Sequence, residues 1–101
     1  MGRVVAEVTV VPLGTASPSL SSYVAEVEKA LKDFPRLKSM LTPMSTILEG
    51  EMDDVLEAVK AMHEAPFRLG ALRVSTTLRI EDRRDKAATM AGKLAAVREK
   101  Q

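Results

Sequence analysis

VVAEVTVVPLGTASPS, residues Val4–Ser19, is the stretch of sequence that decides the fold. Its β-branched residues end at Pro12, which predicts a strand over Val4–Val11. A turn that contains Pro12, Gly14, Thr15 and Ser17 follows, and a helical pattern begins directly after it. Such a junction gathers small hydroxyl groups and free backbone N–H groups, which suits the holding of a small ligand better than the breaking of a bond.

The rest of the chain alternates between strand and helix periodicities. We predict helices at Leu20–Phe34, Asp53–Leu69 and about Arg84–Lys100, and strands at Lys38–Thr42, Ser45–Gly50 and Arg73–Ile80. With right-handed crossovers, the order β-α-β-β-α-β-α is the ferredoxin-like arrangement. The fold class is therefore α+β: a four-stranded antiparallel βαββαβ sheet with two helices on one face, an open second face and an extra C-terminal helix. A chain of 101 residues is expected to form one domain over residues 1–101.

The helix predicted at Asp53–Leu69 contains two residues that could carry special roles. Pro66 lies inside its pattern, so we expect the last turn to be kinked or to end early. His63 is the only histidine, and His63-Glu64 lacks the second histidine of a zinc-protease motif. We therefore interpret His63 as a residue on the helix face with one hydrogen bond.

Composition excludes several function classes. Fifteen Lys and Arg residues against fourteen Asp and Glu give a net charge of +1, which offers no argument for nucleic acid or an anionic membrane. The chain has no cysteine, so disulfides and thiolate sites are excluded, and with a single histidine a protein-only zinc site is not expected. With neither an export signal nor a membrane-spanning run in the sequence, we expect a cytoplasmic protein.

The alternation of the first strand assigns its side chains to two faces. One face, which should meet the helices, carries Val4, Ala6, Val8 and Val10; the open face carries Val5, Glu7, Thr9 and Val11. In the ferredoxin-like strand order, Glu7 and Thr9 lie beside Thr77 and Arg79 of the last strand. The aliphatic residues make this a poor surface for water, so we expect a partner subunit to cover it.

Four blocks of sequence carry a family resemblance. They are PLGT-x-S-x-S at Pro12–Ser19 followed by Tyr23, M-x-T-I-L-E-G at Met44–Gly50, A-V-K-A-x-H-E-A at Ala58–Ala65 and R-V-x-T-T-L-R-I-E-D-R-R-D at Arg73–Asp85. Together they resemble the small thiamine-binding protein family, which is related to the YkoF-like thiamin/hydroxymethylpyrimidine-binding fold. The resemblance implies a ligand, thiamine or its pyrimidine moiety, that is held without catalysis. It also implies homodimers joined through their sheets, often paired again into homotetramers.

A thiamine site needs a carboxylate, hydroxyl or carbonyl acceptors and an apolar wall, because the ligand is a cation with an aminopyrimidine ring. We expect the pocket to be built from the Pro12–Ser19 loop, the Met44–Glu49 segment and the Ser75–Arg79 strand, at the junction of sheet and partner subunit. The candidate ligand-binding residues are Glu7, Thr9, Thr15, Ser17, Ser19, Tyr23, Met44, Thr46, Glu49, Ser75, Thr77 and Arg79. We assign no catalytic residue, metal ligand or cofactor.

Each candidate also has a purely structural interpretation. Glu7 and Arg79 can be a cross-strand ion pair, and the threonines and serines can be ordinary strand, turn or cap residues. Two other functions stay open. One is a structural or regulatory homo-oligomeric module without a ligand. The other is an enzyme like the ferredoxin-like monooxygenases, which would need a catalytic cluster where this chain offers only His63.

Overall fold

A four-stranded antiparallel sheet forms the centre of the computed structural model, which describes residues 2–14, 20–85 and 90–100. The elements are β1 (Arg3–Pro12), α1 (Ser21–Lys29, continued by a 3-10 turn at Ala30–Asp33), β2 (Lys38–Leu41), β3 (Thr46–Glu51), α2 (Met52–Arg68), β4 (Val74–Glu81) and α3 (Met90–Lys100). The strand order is β2-β3-β1-β4. The predicted ferredoxin-like α+β fold with an extra C-terminal helix is confirmed.

The register of the sheet brings the predicted polar residues side by side. Glu7 of β1 lies opposite Arg79 of β4 on one side and Ile47 of β3 on the other. Thr9 lies opposite Thr77. Directly opposed residues of antiparallel strands share a face, so all five side chains belong to the same face of the sheet.

The first face of the sheet holds the core, because α1 and α2 pack on it. Val4, Ala6 and Val8 of β1 are almost completely buried there, and so is Leu48 of β3. Val27 of α1 and, from α2, Val55, Ala58, Met62 and Ala65 complete the cluster. This is the face that the alternation of β1 predicts for the helices.

The second face is covered in part by α3. The backbone N–H of Met90 donates a hydrogen bond to Glu49 Oε1 at 2.7 Å, and the ammonium of Lys93 pairs with the Glu81 carboxylate. Leu94 and Val97 of this helix remain about half exposed, at 48% and 56%. The second face is therefore less bare than the sequence indicates, although α1 and α2 leave it free.

Two predictions about α2 have different outcomes. The helix runs through Pro66 to Arg68, so of the two alternatives the early end is wrong, and a kinked last turn stays a prediction. His63 has the role expected of it, since its Nδ1 lies 2.7 Å from Thr76 Oγ1 and its ring meets Phe67 edge to face. None of the helices in the described ranges is long and apolar enough to cross a membrane.

Candidate functional site

Two cavities lie on opposite faces of the sheet. The first, here named the hairpin cavity, has a volume of about 250 Å³ and opens between α1 and the β2–β3 hairpin. It is lined by Val8, Thr9, Val10, Val24, Val27, Glu28, Met62 and the hairpin residues Leu41, Thr42, Pro43, Met44, Ser45 and Thr46. The second, the α3 cavity, has a volume of about 440 Å³ and lies between α3 and the second face. Its lining is Val5, Ala6, Glu7, Met40, Ile47, Arg79, Ile80, Glu81, Met90, Lys93 and Leu94.

The polar centre of the hairpin cavity is a pair formed by Glu28 and Thr46. Thr46 is only 4% exposed, and its hydroxyl donates a hydrogen bond to Glu28 Oε2 at 2.8 Å. Within residues 2–14, 20–85 and 90–100, the carboxylate of Glu28 has no other hydrogen bond, so its second oxygen can still accept one. The Thr46 hydroxyl uses its single proton in this hydrogen bond, so its lone pairs can act only as acceptors. This pair therefore favours a ligand that donates hydrogen bonds.

Thr42 shapes the mouth of the hairpin cavity. Its hydroxyl donates to the carbonyl of Ser45 at 2.8 Å and accepts from the Ser45 N–H at 3.0 Å, and its own backbone N–H donates to the same carbonyl. These bonds close the turn over Pro43 and Met44, whose sequence is not a favoured two-residue turn. The side chain of Met44 is left 83% exposed at the mouth.

The α3 cavity has an apolar interior and a charged rim. Val5 and Ile47 form its floor, and Met90 and Leu94 belong to the helix above them. On the rim, Glu7 Oε2 accepts a hydrogen bond from Ser45 Oγ at 3.0 Å, and Glu7 Oε1 lies 4.0 Å from the Arg79 guanidinium. The predicted cross-strand pair of Glu7 and Arg79 is therefore present, but it is long.

Glu49 is a buried carboxylate whose oxygens are already engaged. It is 2% exposed, and Oε2 lies 3.0 Å from the Arg3 guanidinium and 3.9 Å from the Lys38 ammonium. Its Oε1 accepts the hydrogen bond from Met90. Glu49 thus fastens the start of α3 to β1, β2 and β3, and a ligand would have to displace one of these partners to reach it.

The structure does not bring all the candidate residues together. Thr9, Met44 and Thr46 line the hairpin cavity, while Glu7 and Arg79 line the α3 cavity. Ser75 and Thr77 are exposed on β4, and half-buried Tyr23 is on α1; none of these three lines either cavity. Thr15, Ser17 and Ser19 lie outside the described residues.

Glu28 is the important residue that the sequence interpretation missed. It follows Val24 by four positions and precedes Leu31 by three, so it lies on the apolar side of α1. A carboxylate within an apolar stripe was the available signal. Among the residues that the structure describes, no group of three or more His, Cys, Asp or Glu side chains could hold a metal ion.

Comparison with known proteins relates this chain to one family. The model of the family described as thiamine-binding protein matches residues 6–98. The UPF0045 protein YqgV of Bacillus subtilis is 47% identical over 96 residues, which cover 92% of each chain. A UPF0045 protein of Methanothermobacter thermautotrophicus is 49% identical over 98 residues, covering 96% of this chain and 98% of its relative.

Solved structures show the same fold. The hypothetical protein MJ1052 of Methanocaldococcus jannaschii superposes with a TM-score of 0.87 at 38% identity, covering 98% of this chain and 99% of its own. A Thermotoga maritima protein, assigned provisionally to thiamine biosynthesis or salvage, superposes with a TM-score of 0.76. It covers 94% of this chain and 98% of its own, and at 21% identity the likeness concerns the fold alone.

Proposed function

Because the chain belongs to the thiamine-binding protein family, we propose that it binds thiamine or a related aminopyrimidine in the hairpin cavity, without catalysis. The observation that carries this proposal is the Glu28–Thr46 pair in a cavity whose walls include Val10, Val24, Val27 and Met62. A carboxylate and hydroxyl acceptors beside apolar walls are the groups that an aminopyrimidine requires.

Hydrogen-bond direction supports an amino-substituted ring. The free oxygen of Glu28 and the lone pairs of Thr46 accept hydrogen bonds and donate none, so they match the N–H groups of an exocyclic amine. An analogue with a carbonyl in place of the amine would place a hydrogen-bond acceptor opposite Glu28 and Thr46, which are both acceptors themselves. Buried polar groups without partners lower affinity strongly, so the site should reject this oxo analogue.

The size of the cavity supports a partly inserted ligand. At about 250 Å³ it lies below the range of roughly 300–1,000 Å³ that is common for drug-sized ligands. We propose that the pyrimidine ring enters between Val10, Val24 and Met62, while the thiazolium ring stays at the mouth against Met44. Thr9 also borders this cavity, but its side chain lies on the second face of the sheet, opposite Thr77, so we assign its hydroxyl no role in binding.

We further propose that copies of the chain associate through the second face of the sheet into homodimers or homotetramers. Ser75 and Thr77 are exposed on that face and do not line the α3 cavity, so association through this part of the face can leave that cavity open. Such an assembly leaves the hairpin cavity, on the opposite face, open to ligand. The cytoplasm stays our prediction for the compartment.

Calorimetric titration with thiamine, with its aminopyrimidine moiety and with the oxo analogue tests the proposed function. We expect the amino compound to bind about tenfold or more tightly than the oxo analogue. Glu28→Gln should lose most of this preference, because a glutamine amide can donate to the oxo group. Glu64→Gln, on an exposed position of α2, is the matched control and should bind like the parent protein.

NMR of isotope-labelled methionine methyl groups locates the ligand. Met44 and Met62 line the hairpin cavity, whereas Met40 and Met90 line the α3 cavity. Thiamine should shift the methyl signals of Met44 and Met62 and leave those of Met40 and Met90 unchanged. No heat and no shift at millimolar thiamine would refute ligand binding and would favour the interaction module without a ligand.

A further inference from the structure

The α3 cavity has the size and the lining of a small-molecule site. Its volume of about 440 Å³ lies within the usual range of roughly 300–1,000 Å³. Val5, Ile47 and Leu94 supply apolar surface on three different elements, and Met40 and Met90 add two flexible thioethers. Such an interior favours the apolar body of a ligand.

The charged side chains on the rim differ in whether they already have a close polar partner. The ammonium of Lys93 is paired with Glu81, and Glu7 accepts a hydrogen bond from the Ser45 hydroxyl. By contrast, Arg79 is 83% exposed, and its contact with Glu7 is 4.0 Å long, beyond hydrogen-bond length. In the described part of the chain, Arg79 has no closer polar partner. Its guanidinium is therefore the charged group of this rim that is available to a ligand.

We infer that the α3 cavity is a second binding site, which takes a small amphipathic carboxylic acid with its apolar body against Val5, Ile47 and Leu94 and its carboxylate on Arg79. A planar guanidinium can bind a carboxylate through two parallel hydrogen bonds. The two rim carboxylates, Glu7 and Glu81, already have partners, so they leave little to attract a cationic ligand.

This inference is independent of thiamine binding, because the two cavities lie on opposite faces of the sheet. They share none of their lining residues. β1 contributes to both, but with alternate side chains: Val5 and Glu7 to the α3 cavity, Val8 and Val10 to the hairpin cavity. Binding at one site can therefore fail while binding at the other succeeds.

Titration of the full chain with octanoate, 1-octanol and octylammonium, followed by the labelled methionine methyl groups, tests the inference. Octanoate should shift the signals of Met40 and Met90 in a saturable way and leave those of Met44 and Met62 in place. It should bind about two- to fivefold more tightly than octanol of the same chain length, because only octanoate can pair with the exposed guanidinium of Arg79. Octylammonium should bind no better than octanol.

Two variants separate the head group from the body of the ligand. Arg79→Gln should reduce the affinity for octanoate to that for octanol, while Arg98→Gln, on an exposed position of α3 outside the cavity, should change neither. Leu94→Asp should lower the affinity for octanoate and for octanol by similar factors. Because Arg79 and Leu94 are both exposed, we expect both variants to fold.

The inference is overturned if Met40 and Met90 do not move, if the three probes bind equally, or if Arg79→Gln binds octanoate like the parent protein. Unmoved methionines together with a dimeric mass in ultracentrifugation would mean that a second copy of the chain fills the cavity. Shifts of Met44 and Met62 by thiamine in the same sample would show that the proposed function survives that result.

Discussion

The two faces of the sheet are covered in opposite ways. On one face, α1 and α2 bury Val4, Val8 and Leu48 almost completely, through close apolar packing. On the other face, α3 is held by a hydrogen bond to Glu49 and an ion pair with Glu81, and most of its residues remain exposed. A cavity of about 440 Å³ remains beneath it.

This difference indicates that the two faces of the sheet contribute unequally to the stability of the fold. Burial of apolar side chains stabilises by roughly 1.5–3 kcal/mol for each large residue, whereas exposed ion pairs contribute about 0–1 kcal/mol. The stability of the fold should therefore depend mainly on the face of α1 and α2. The face of α3 contributes less and can be altered at smaller cost.

The largest expected difference between the two faces comes from truncating two neighbouring residues of β3. Leu48→Ala should lower the free energy of unfolding by about 2–5 kcal/mol, because Leu48 is fully buried in the core. Ile47→Ala, one residue away on the second face and only half-buried, should cost about 1 kcal/mol. Urea unfolding measures both. Equal costs would mean that the two faces stabilise the fold equally.

Removing the charge of Glu49 tests how α3 is held. Glu49→Gln weakens the contacts to Arg3 and to the Met90 N–H, and we expect a loss of about 1–3 kcal/mol. Hydrogen exchange at the Met90 amide should accelerate more than exchange in α2. Glu57→Gln, exposed on α2, serves as the control. Unchanged exchange at Met90 would show that α3 is held by packing instead.

The hydrogen bond between His63 and Thr76 should matter for stability alone. Thr76→Val leaves the Nδ1 atom of His63 without this partner, and we expect a loss of about 1 kcal/mol. His63→Ala should lower the melting temperature similarly and leave thiamine affinity unchanged. Calorimetry of unfolding and of binding measures both quantities. A loss of binding without a loss of stability would contradict this structural role and reopen the question of an enzyme.

The smallest effect is expected for Glu7 and Arg79. Their 4.0 Å separation and the 83% exposure of Arg79 predict a coupling energy below about 0.5 kcal/mol. A double-mutant cycle with Glu7→Gln and Arg79→Gln, measured at low and high salt, gives this value. A coupling above about 1 kcal/mol that persists at high salt would show that the pair stabilises the second face more than its geometry suggests.

The sheet could be predicted because its strands carry strong local patterns. The alternation at Val4–Val11 assigns both faces correctly, and the strand order then places Glu7 opposite Arg79 and Thr9 opposite Thr77. The position of α3 could not be predicted in this way. Its stripe of Met90, Ala91, Leu94 and Val97 is rich in alanine and only weakly hydrophobic, so it does not indicate where the helix packs. Its anchor Glu49 lies 41 residues earlier in the chain.

The candidate site was harder to predict than the fold, because its parts come from distant elements. Thr46 was expected at the site, but its partner Glu28 is on α1, 18 residues before it. Nothing in the sequence near Thr46 indicates this pairing. The run at Asp82–Asp85 shows the opposite case, because its Arg–Asp pairs join exposed residues only two positions apart. Hydrogen bonds with Asp85 and Asp82 raise the pKa of Arg83 and Arg84, respectively.

The alternation of β1 has an evolutionary consequence. The side chains at positions 5 and 7 lie on the face of one cavity, and those at positions 8 and 10 lie on the face of the other. Point substitutions can thus retune either cavity while sparing its neighbour. Insertion of a single residue in this strand would instead exchange the two sets of side chains and send Glu7 into the interior. The central strand should therefore diversify by replacement and hardly ever by a change in length.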